Sequence, residues 1–585
     1  MKSSVVSLVL GTLFSATTVL AAFDQEPLGP TIDPNKYRAA CPDYKNYATR
    51  RQYAPHPLLL LLLRSWTPIP LTVVPSPPYS QGPLALPFQR PSKYCRTFAS
   101  PLVEQVIDDL KAKIVDKDLA RLFENAFPNT LDTTVRWHVD GTAKHKPSRK
   151  YLDPAAWKGP QSFIVTGDIN AEWLRDSTNQ LAQYQLLAKK DKSIHQLILG
   201  AINTQAEYVI ESPYCNAFQP PPPSGLEPTF QGDGDTVHPL YEQSSVFECK
   251  YELDSLAHFL SLSNQFYKHT GSTAFLNERW LLALDTLLEV LAEQSKGTFN
   301  ETTGVYQGNE YRFQRQTNQG TETLALGGIG NPLNSGTGLI RSAFRPSDDA
   351  TILGFFIPAN AMMSVELTRT AALLQAAGHA QLATQLASRG AALTQAIWDH
   401  GVVPHAQHGQ VFAFEVDGYG SHILMDDANL PSLLSLPLLG FTPADNPVYQ
   451  NTRRMILSKH GNPYFLTGNA FRGIGGPHVG LESAWPMSVL VQAMTSHDDA
   501  EIQACLASVK NVSMRGVVHE SVNVDEAERY SSTFAFLLSS HLLCVLDSLP
   551  WLAVVVSLSL SLFLSLLSRC YADFVRNRKL VCMGQ

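Results

Sequence analysis

Acidic side chains recur in apparent loops beside Trp, Arg, Asn and His along this chain. That mixture suits a ligand rich in hydroxyls. Carboxylates and amides hydrogen-bond hydroxyl groups, and flat aromatic rings pack on the apolar faces of sugar rings. The densest case is residues 166–177, where Asp168, Glu172, Trp173, Arg175 and Asp176 lie within twelve positions. A plainer reading is a helix start, with Asp capping and an Arg–Asp pair on a solvated face.

The other segments each carry the same two-sided reading. Tyr251-Glu252-Leu253-Asp254-Ser255-Leu256 opens a helix with Leu253, Leu256 and Leu260 on its apolar face. Asp254 is then either a charge favoured by the helix dipole or a half-buried acid whose raised pKa suits a general acid. Arg345-Pro346-Ser347-Asp348-Asp349 and Asp426-Asp427-Ala428-Asn429 are loop acid pairs without the alternating oxygen spacing of a calcium loop. Gly473-Ile474-Gly475-Gly476-Pro477-His478 has no preceding strand and no following Lys, so phosphate binding is a poor fit. Glycines that let a backbone approach a ligand fit better. In His519-Glu520-Ser521, Glu520 is a possible base or simply a solvated loop acid.

No nucleophile elbow, P-loop, dinucleotide fingerprint, HExxH helix or EF-hand loop is present. The 585 residues are 44% hydrophobic, 17% charged and 9% aromatic, which excludes wholesale disorder. A net charge of -7 without a basic block argues against nucleic acid as the main partner. Length alone suggests roughly four domains, although single barrels often run long.

Stepping from chemistry to scaffold, the pattern over residues 101–540 is mainly helical. Trp280, Leu281, Leu284, Leu287, Leu288 and Leu291 form one apolar stripe, and Leu382, Leu386, Leu393 and Ile397 another. Gly378 sits between that second helix and the one before it, as at a helix C-cap leading into a hairpin. Further helices are expected near Leu102, Trp173, Leu253, Leu430, Leu481 and Ala500. Strand-like alternation is sparse, as over residues 411–416, and Pro220 to Pro223 reads as a stiff loop. About a dozen helices in antiparallel pairs suggest a helical toroid with the chemistry where loops gather at one end. An ordinary multi-helix globule gives the same periodicity.

The ends read differently. Lys2, the apolar residues 5–20 and Val19-Leu20-Ala21 fit a secretory signal cleaved before Ala22, with an uncleaved anchor as the alternative. Asn300-Glu301-Thr302 and Asn511-Val512-Ser513 are glycosylation acceptors in that compartment. Among eight cysteines, Cys41 with Cys95 and Cys215 with Cys249 are plausible disulfides, and free buried thiols are equally consistent. Two tracts look foreign to a core. Residues 58–63 are six leucines, followed by a Pro-rich stretch. Residues 549–568 are uncharged and long enough for a membrane span, with Arg569 and a basic tail after them.

Taken in order, the segments GDINAEWLRDS, YELDSL, RPSDDA, DDANLPS, GIGGPH and HES resemble glycoside hydrolase family 125 over most of the chain, from about Tyr79 to Phe534. The resemblance implies an all-α fold, an (α/α)6 barrel (a six-hairpin toroid) with long loops and minor β structure. It also implies a metal-independent, inverting exo-α-1,6-mannosidase with no cofactor, releasing terminal mannose from N-glycans or mannan. It assigns Asp254 as general acid and Glu520 as general base. An inverting enzyme holds two such carboxyls about 6.5–9.5 Å apart, leaving room for water. Arg175 and Asp176 should grip hydroxyls of the terminal mannose. Trp173, Asp168, Asp348, Asp349, Asn360, Asp427, Asn429 and His478 should line or shape the pocket. Competing functions are a glucoamylase-like barrel hydrolase and a membrane-attached glycan-binding protein without turnover.

The two tracts interrupt the family pattern, since Pro78-Tyr79-Ser80 follows the leucine run late and an aromatic final helix from Ser531 runs into the second tract. We read both as retained introns or gene-model errors, which transcript sequencing would decide. The expected layout is a signal over 1–21, an extension over 22–78, a catalytic barrel over 79–540 and a doubtful apolar tract with basic tail over 541–585. The expected product is a monomer in the secretory pathway, secreted or held in the ER or Golgi lumen. It would be membrane-anchored only if residues 549–568 are genuine.

Overall fold

A computed structural model of the chain describes residues 78–142, 156–167, 169–230 and 234–531. The signal, both apolar tracts, the final helix, Cys41 and Asp168 lie outside the described residues.

Eleven helices of nine or more residues run through the described residues: α1 Pro101–Lys113, α2 Lys117–Ala126, α3 Leu174–Ala182, α4 Lys192–Glu211, α5 Leu253–Thr270, α6 Glu278–Gln294, α7 Ile357–Ala376, α8 Ala380–His400, α9 Pro447–Ile456, α10 Pro486–Met494 and α11 Asp499–Val512. The stripe containing Trp280 is the buried face of α6, where Trp280, Leu284, Leu287 and Leu291 are sealed from solvent. Leu386, Leu393 and Ile397 do the same on α8. The turn joining α7 to α8 contains Gly378 at φ +90°, the left-handed conformation that glycine adopts without a Cβ penalty.

How the helices begin separates them into two sets. α1, α2, α4, α6, α9 and α11 start from Ser100, Asp116, Asp191, Asn277, Asn446 and Asp498, whose side chains accept backbone N–H groups of the first turn. α3, α5, α7 and α10 start from Trp173, Glu252, Phe356 and Trp485, with extended backbone and no side-chain cap. Their first donors are met by distant chain instead. Leu174 N–H donates to Asn216 O at 3.2 Å, Leu253 N–H to Ser342 Oγ at 2.9 Å and Ile357 N–H to Phe414 O at 3.0 Å. These helices are buried nearly all round, as central helices of a bundle must be. Their N-termini are therefore fixed by loops, and those loops carry the acidic segments.

α3, α5 and α7 pack side by side, with α4, α6 and α8 outside them. The α1–α2 hairpin joins α11 and the segment after it to the end of α3. Lys510 of α11 pairs with Asp116 at the start of α2 at 2.5 Å, Asn125 Nδ2 donates to Gly516 O at 2.6 Å, and the Tyr184 hydroxyl donates to Phe127 O.

Among the described residues seven antiparallel sheets of two or three short strands brace the loops. Glu172–Trp173, Ala217–Phe218 and Val246–Glu248 form one, leading directly into α3. Ser483–Ala484 pairs with Val522–Asn523 and so brings the glycine-rich segment beside Glu520. Cys215 and Cys249 form a disulfide that closes the first of these sheets next to Asn216 and Lys250. Cys95 is also disulfide-bonded.

Three expected elements differ. No long helix starts near Leu430; the helical turn there is Leu436–Leu439. Asp426 accepts the N–H groups of Leu433 at 2.8 Å and Leu434 at 3.0 Å, which holds the segment as a loop. Near Leu481 the chain first forms the strand Ser483–Ala484, and the helix waits for Pro486 at its first turn. The alternation over 411–416 divides between two sheets, one with Gly409–Phe412 and one with Glu415–Val416. Pro222–Ser224 is a 3-10 turn.

Candidate active site

The uncapped ends of α3 and α10 open on a cavity of about 620 Å³, within the range that takes a small ligand. Trp173, Arg175, Asp176, Asp348, Asp349, Asn429, His478 and Glu520, each named from the sequence, line it together. Trp173 and Phe247 meet edge to face at 5.5 Å and give one apolar wall; Trp485 adds a second aromatic. The indole N–H groups of Trp173 and Trp485 are buried without an acceptor in the protein.

Arg175, at the start of α3, organises the charge. Its Nη1 donates to Glu252 at 3.0 Å, while Nη2 lies 3.5 Å from Asp176 and 3.9 Å from Asp348. Asn216 Nδ2 bridges Glu252 at 3.1 Å and Asp348 at 2.9 Å. Burial pushes Glu252 far above the usual carboxylate range, in spite of Arg175. Asp348 is pushed up by burial too, but Lys250 and Arg175 outweigh this and hold it below its ordinary value. For Asp349 the cations His478 and Arg345 do not outweigh burial. Burial, with the charge of Asp427 beside it, raises it to about 6.

The loop carrying this pair is tightly wound. Arg345 N–H donates to Asp349 O, Asp348 N–H donates back to Arg345 O, and Asp348 takes φ +66°. Such a conformation costs a non-glycine residue on the order of 1 kcal/mol or more and is held only by its surroundings. The anchor is Arg345, buried and bonded through Nε to Glu415 Oε1 at 2.6 Å.

The glycine-rich segment packs against Asp427. A Cβ on Gly476 would stand 2.9 Å from Asp427 Oδ2, and Ala428 N–H donates to Gly475 O at 3.0 Å. Close backbone approach is thus the use of these glycines, though to a carboxylate of the protein. Asp427 Oδ1 in turn accepts both the N–H and the side-chain amide of Asn429 at 3.0 Å, presenting Asn429 to the cavity. Glu520 reaches the cavity from the far segment, with Ser531 Oγ donating to its Oε2 at 2.7 Å.

Three expected site residues do not line the cavity. Asn360 is sealed in the fold, where it accepts from Ile340 N–H and donates to Ile340 O and Phe356 O. It staples a loop to the start of α7 and does not line the cavity. Asp254, expected as the general acid, is fully buried and absent from the cavity wall, with both carboxyl oxygens lacking hydrogen-bond partners. It occupies the second position of α5, whose first turn faces the helix cluster. Burial raises it to about 7, and the charges acting on it are those of Arg175, Asp348 and Asp176 on the cavity wall. It is not among the residues that line the cavity. Asp427 acts through Asn429 and likewise stands behind the wall.

The sequence also passed over residues that the fold recruits. Lys250, Glu248, Phe247 and Arg315 line the cavity, with Lys250 3.2 Å and Arg315 2.9 Å from Glu248. Glu252 and Lys250 lie in or beside the quoted YELDSL segment, so proximity to a motif could have flagged them. Arg315 has no local signal; it arrives by pairing with Asp235 at 2.7 Å. Among the described residues no group of three or more His, Cys, Asp or Glu side chains could hold a metal ion. No helix among them is long and apolar enough to cross a membrane.

Comparison with known proteins agrees with this geometry. Residues 116–542 match the family model described as metal-independent alpha-mannosidase (GH125). The meiotically up-regulated gene 157 protein of Schizosaccharomyces pombe is 49% identical over 531 residues, covering 91% of this chain and 93% of that protein. A solved metal-independent α-mannosidase from Streptococcus pneumoniae, in a non-productive complex with α-1,6-mannobiose, superposes with a TM-score of 0.68 at 31% identity. It covers 77% of this chain and 99% of that one. The chain belongs to the GH125 family of metal-independent α-mannosidases.

Proposed function

We propose that this α-mannosidase is an inverting exo-enzyme that releases the terminal α-1,6-linked mannose of a glycan, and that its helices close as a six-hairpin toroid around the cavity. The observation that carries the reading is one cavity lined by the Asp348–Asp349 pair on one loop and by Glu520 on another, with Arg175 and Asp176 beside them. The mannobiose in the Streptococcus pneumoniae complex supports the linkage.

In this account the leaving oxygen is protonated from the Asp348–Asp349 pair, which takes the role first expected of Asp254. Asp349 keeps its proton to about pH 6, as a general acid near neutrality needs. Asp348, ionised beside Lys250 and Arg175, stabilises positive charge that develops at the anomeric carbon. Glu520 takes a proton from water attacking the opposite face. The C1–O bond breaks as the water oxygen bonds to C1, so configuration inverts. Arg175, Asp176, Asn429 and His478 hold hydroxyls, and Trp173 packs on the ring.

A secretory location is part of the same proposal. It rests on the N-terminal sequence and on the Cys215–Cys249 disulfide, which persists in oxidising compartments.

The direct test is hydrolysis of α-1,2-, α-1,3- and α-1,6-mannobiose and maltose by the purified chain. Mannose release confined to the α-1,6 disaccharide is expected. Equal cleavage of all three mannobioses would refute the linkage assignment, and cleavage of maltose would point to the glucoamylase-like alternative.

A further inference from the structure

Glu520 stands between two cavities. One is the site above; the other, about 440 Å³, is lined by His478, Val479, Ser483, Glu520, Ser521 and Asn523, with Ser531 and its neighbours closing it. At this partition a hydroxyl pair holds the carboxylate. Ser531 Oγ donates to Glu520 Oε2 at 2.7 Å, lies 2.8 Å from Ser521 Oγ and accepts Ser521 N–H at 3.1 Å. A serine hydroxyl has one proton to give. Ser531 gives it to Glu520, so the Ser521 hydroxyl must donate to Ser531. The Ser531 oxygen is then saturated, with one bond given and two received. The pairing is fixed by backbone as well, since Ser531 N–H donates to Ser521 O at 3.2 Å.

We propose that Ser531, oriented by Ser521, is the positioning residue for the catalytic base: it pins Glu520 Oε2 so that the carboxylate activates water entering from the second cavity. This rests on the reading of Glu520 as the base. The need is geometric. When a glycan fills the main cavity through its mouth, the attacking water requires another way in, and the second cavity adjoins the first at Glu520 and His478. Its lining is rich in hydroxyl, amide and charged groups, which suits water.

A bond donated to a carboxylate favours the ionised form. Among the described residues, titratable groups sharing the main cavity wall with Glu520 include Asp348, Asp349 and His478 from the glycine-rich segment. Arg529 and Tyr530 come from the returning strand, with Glu482 and Glu526 paired to Arg529 and Arg515 over the Tyr530 ring. His519, stacked on Tyr530, is held neutral by burial, its pKa lowered to about 3. All of these stay in place when Ser531 changes.

The experiment compares Ser531→Ala, Ser531→Thr, Ser521→Ala and Glu520→Gln for kcat, KM and the pH dependence of kcat/KM on α-1,6-mannobiose, each checked for native thermal unfolding. Ser531→Ala should lower kcat about 10- to 100-fold with KM little changed, the range of one hydrogen bond to a charged group. Its acid limb should move up by about one pH unit, because Glu520 then ionises later. Ser531→Thr should restore most of both. Ser521→Ala, which keeps the backbone bond, should shift the limb in the same direction by less, and it carries the test if Ser531→Ala does not fold. A wild-type acid limb in a folded Ser531→Ala or Ser521→Ala, beside an inactive Glu520→Gln, would overturn the positioning role alone. An active Glu520→Gln would instead overturn the base assignment.

Discussion

Arg175 Nη1 donates to buried Glu252 at 3.0 Å, and that pair stands at the point where the start of α3 meets the start of α5. Glu252 is the N-cap residue of α5, and Arg175 is the second residue of α3. Neither is capped by its own side chain, so the pair fixes the relative position of two central helices as well as a wall of the cavity. A buried polar pair matters chiefly because leaving one partner unsatisfied is costly.

Arg175→Met should therefore destabilise the fold by about 1–3 kcal/mol, since Glu252 is left buried without its donor. Adding Glu252→Gln should recover part of that loss while activity stays absent. Urea unfolding of both variants measures this. An Arg175→Met chain as stable as wild type would mean that the pair does not tie the helices together.

The proton donor can be separated from its neighbours by leaving-group chemistry. A variant lacking the acid loses hydrolysis of mannobiose but retains it with a dinitrophenyl α-mannoside, whose leaving group departs without protonation. Asp349→Asn should show that split, with mannobiose turnover down at least about 10²-fold. Asp348→Asn should lose both substrates, because it stabilises the anomeric centre itself. Asp254→Asn should keep the wild-type ratio of the two, even if both rates fall. The split appearing in Asp254→Asn would return the acid role to Asp254.

Stability should depend on pH in a defined direction. Burial raises Glu172 to about 8, Asp254 to about 7 and Asp426 to about 8. Each binds a proton in the folded state that the unfolded chain has released above about pH 4.5, so stability falls as pH rises towards those values. His258 and His519, both lowered to about 3, act oppositely, but only below about pH 6.5, where the unfolded histidine charges. Between about pH 6.5 and 8 the carboxyls act unopposed. Tm should decline across that interval at constant ionic strength, and a rising Tm there would contradict the neutral state of these acids.

Much of this was legible in residue types and spacing. The stripes on α6 and α8 and the hairpin at Gly378 follow from spacing, while the cavity positions of Trp173, Arg175, Asp176, Asp348, Asp349, Asn429, His478 and Glu520 came from the family resemblance of their segments. What stayed hidden depends on orientation. Asp254 and Asp348 are both acids in motif segments, yet only Asp348 lines the cavity. The left-handed turn at Asp348 makes that difference, and it is set by Arg345 reaching Glu415, seventy positions away. Asn360, which the resemblance put at the pocket, instead staples Ile340 with its amide. Arg315 belongs to the site only because Asp235 and Glu248 come to it. Long-range pairing of this kind leaves no mark in a local pattern.

The most direct test of the central claim is proton NMR of α-1,6-mannobiose hydrolysis by the purified full chain, following the anomeric signals before mutarotation. The account predicts β-mannose as the first product, formed by water activated at Glu520 while the Asp348–Asp349 pair protonates the leaving oxygen. First appearance of α-mannose, or no mannose at all, would contradict it.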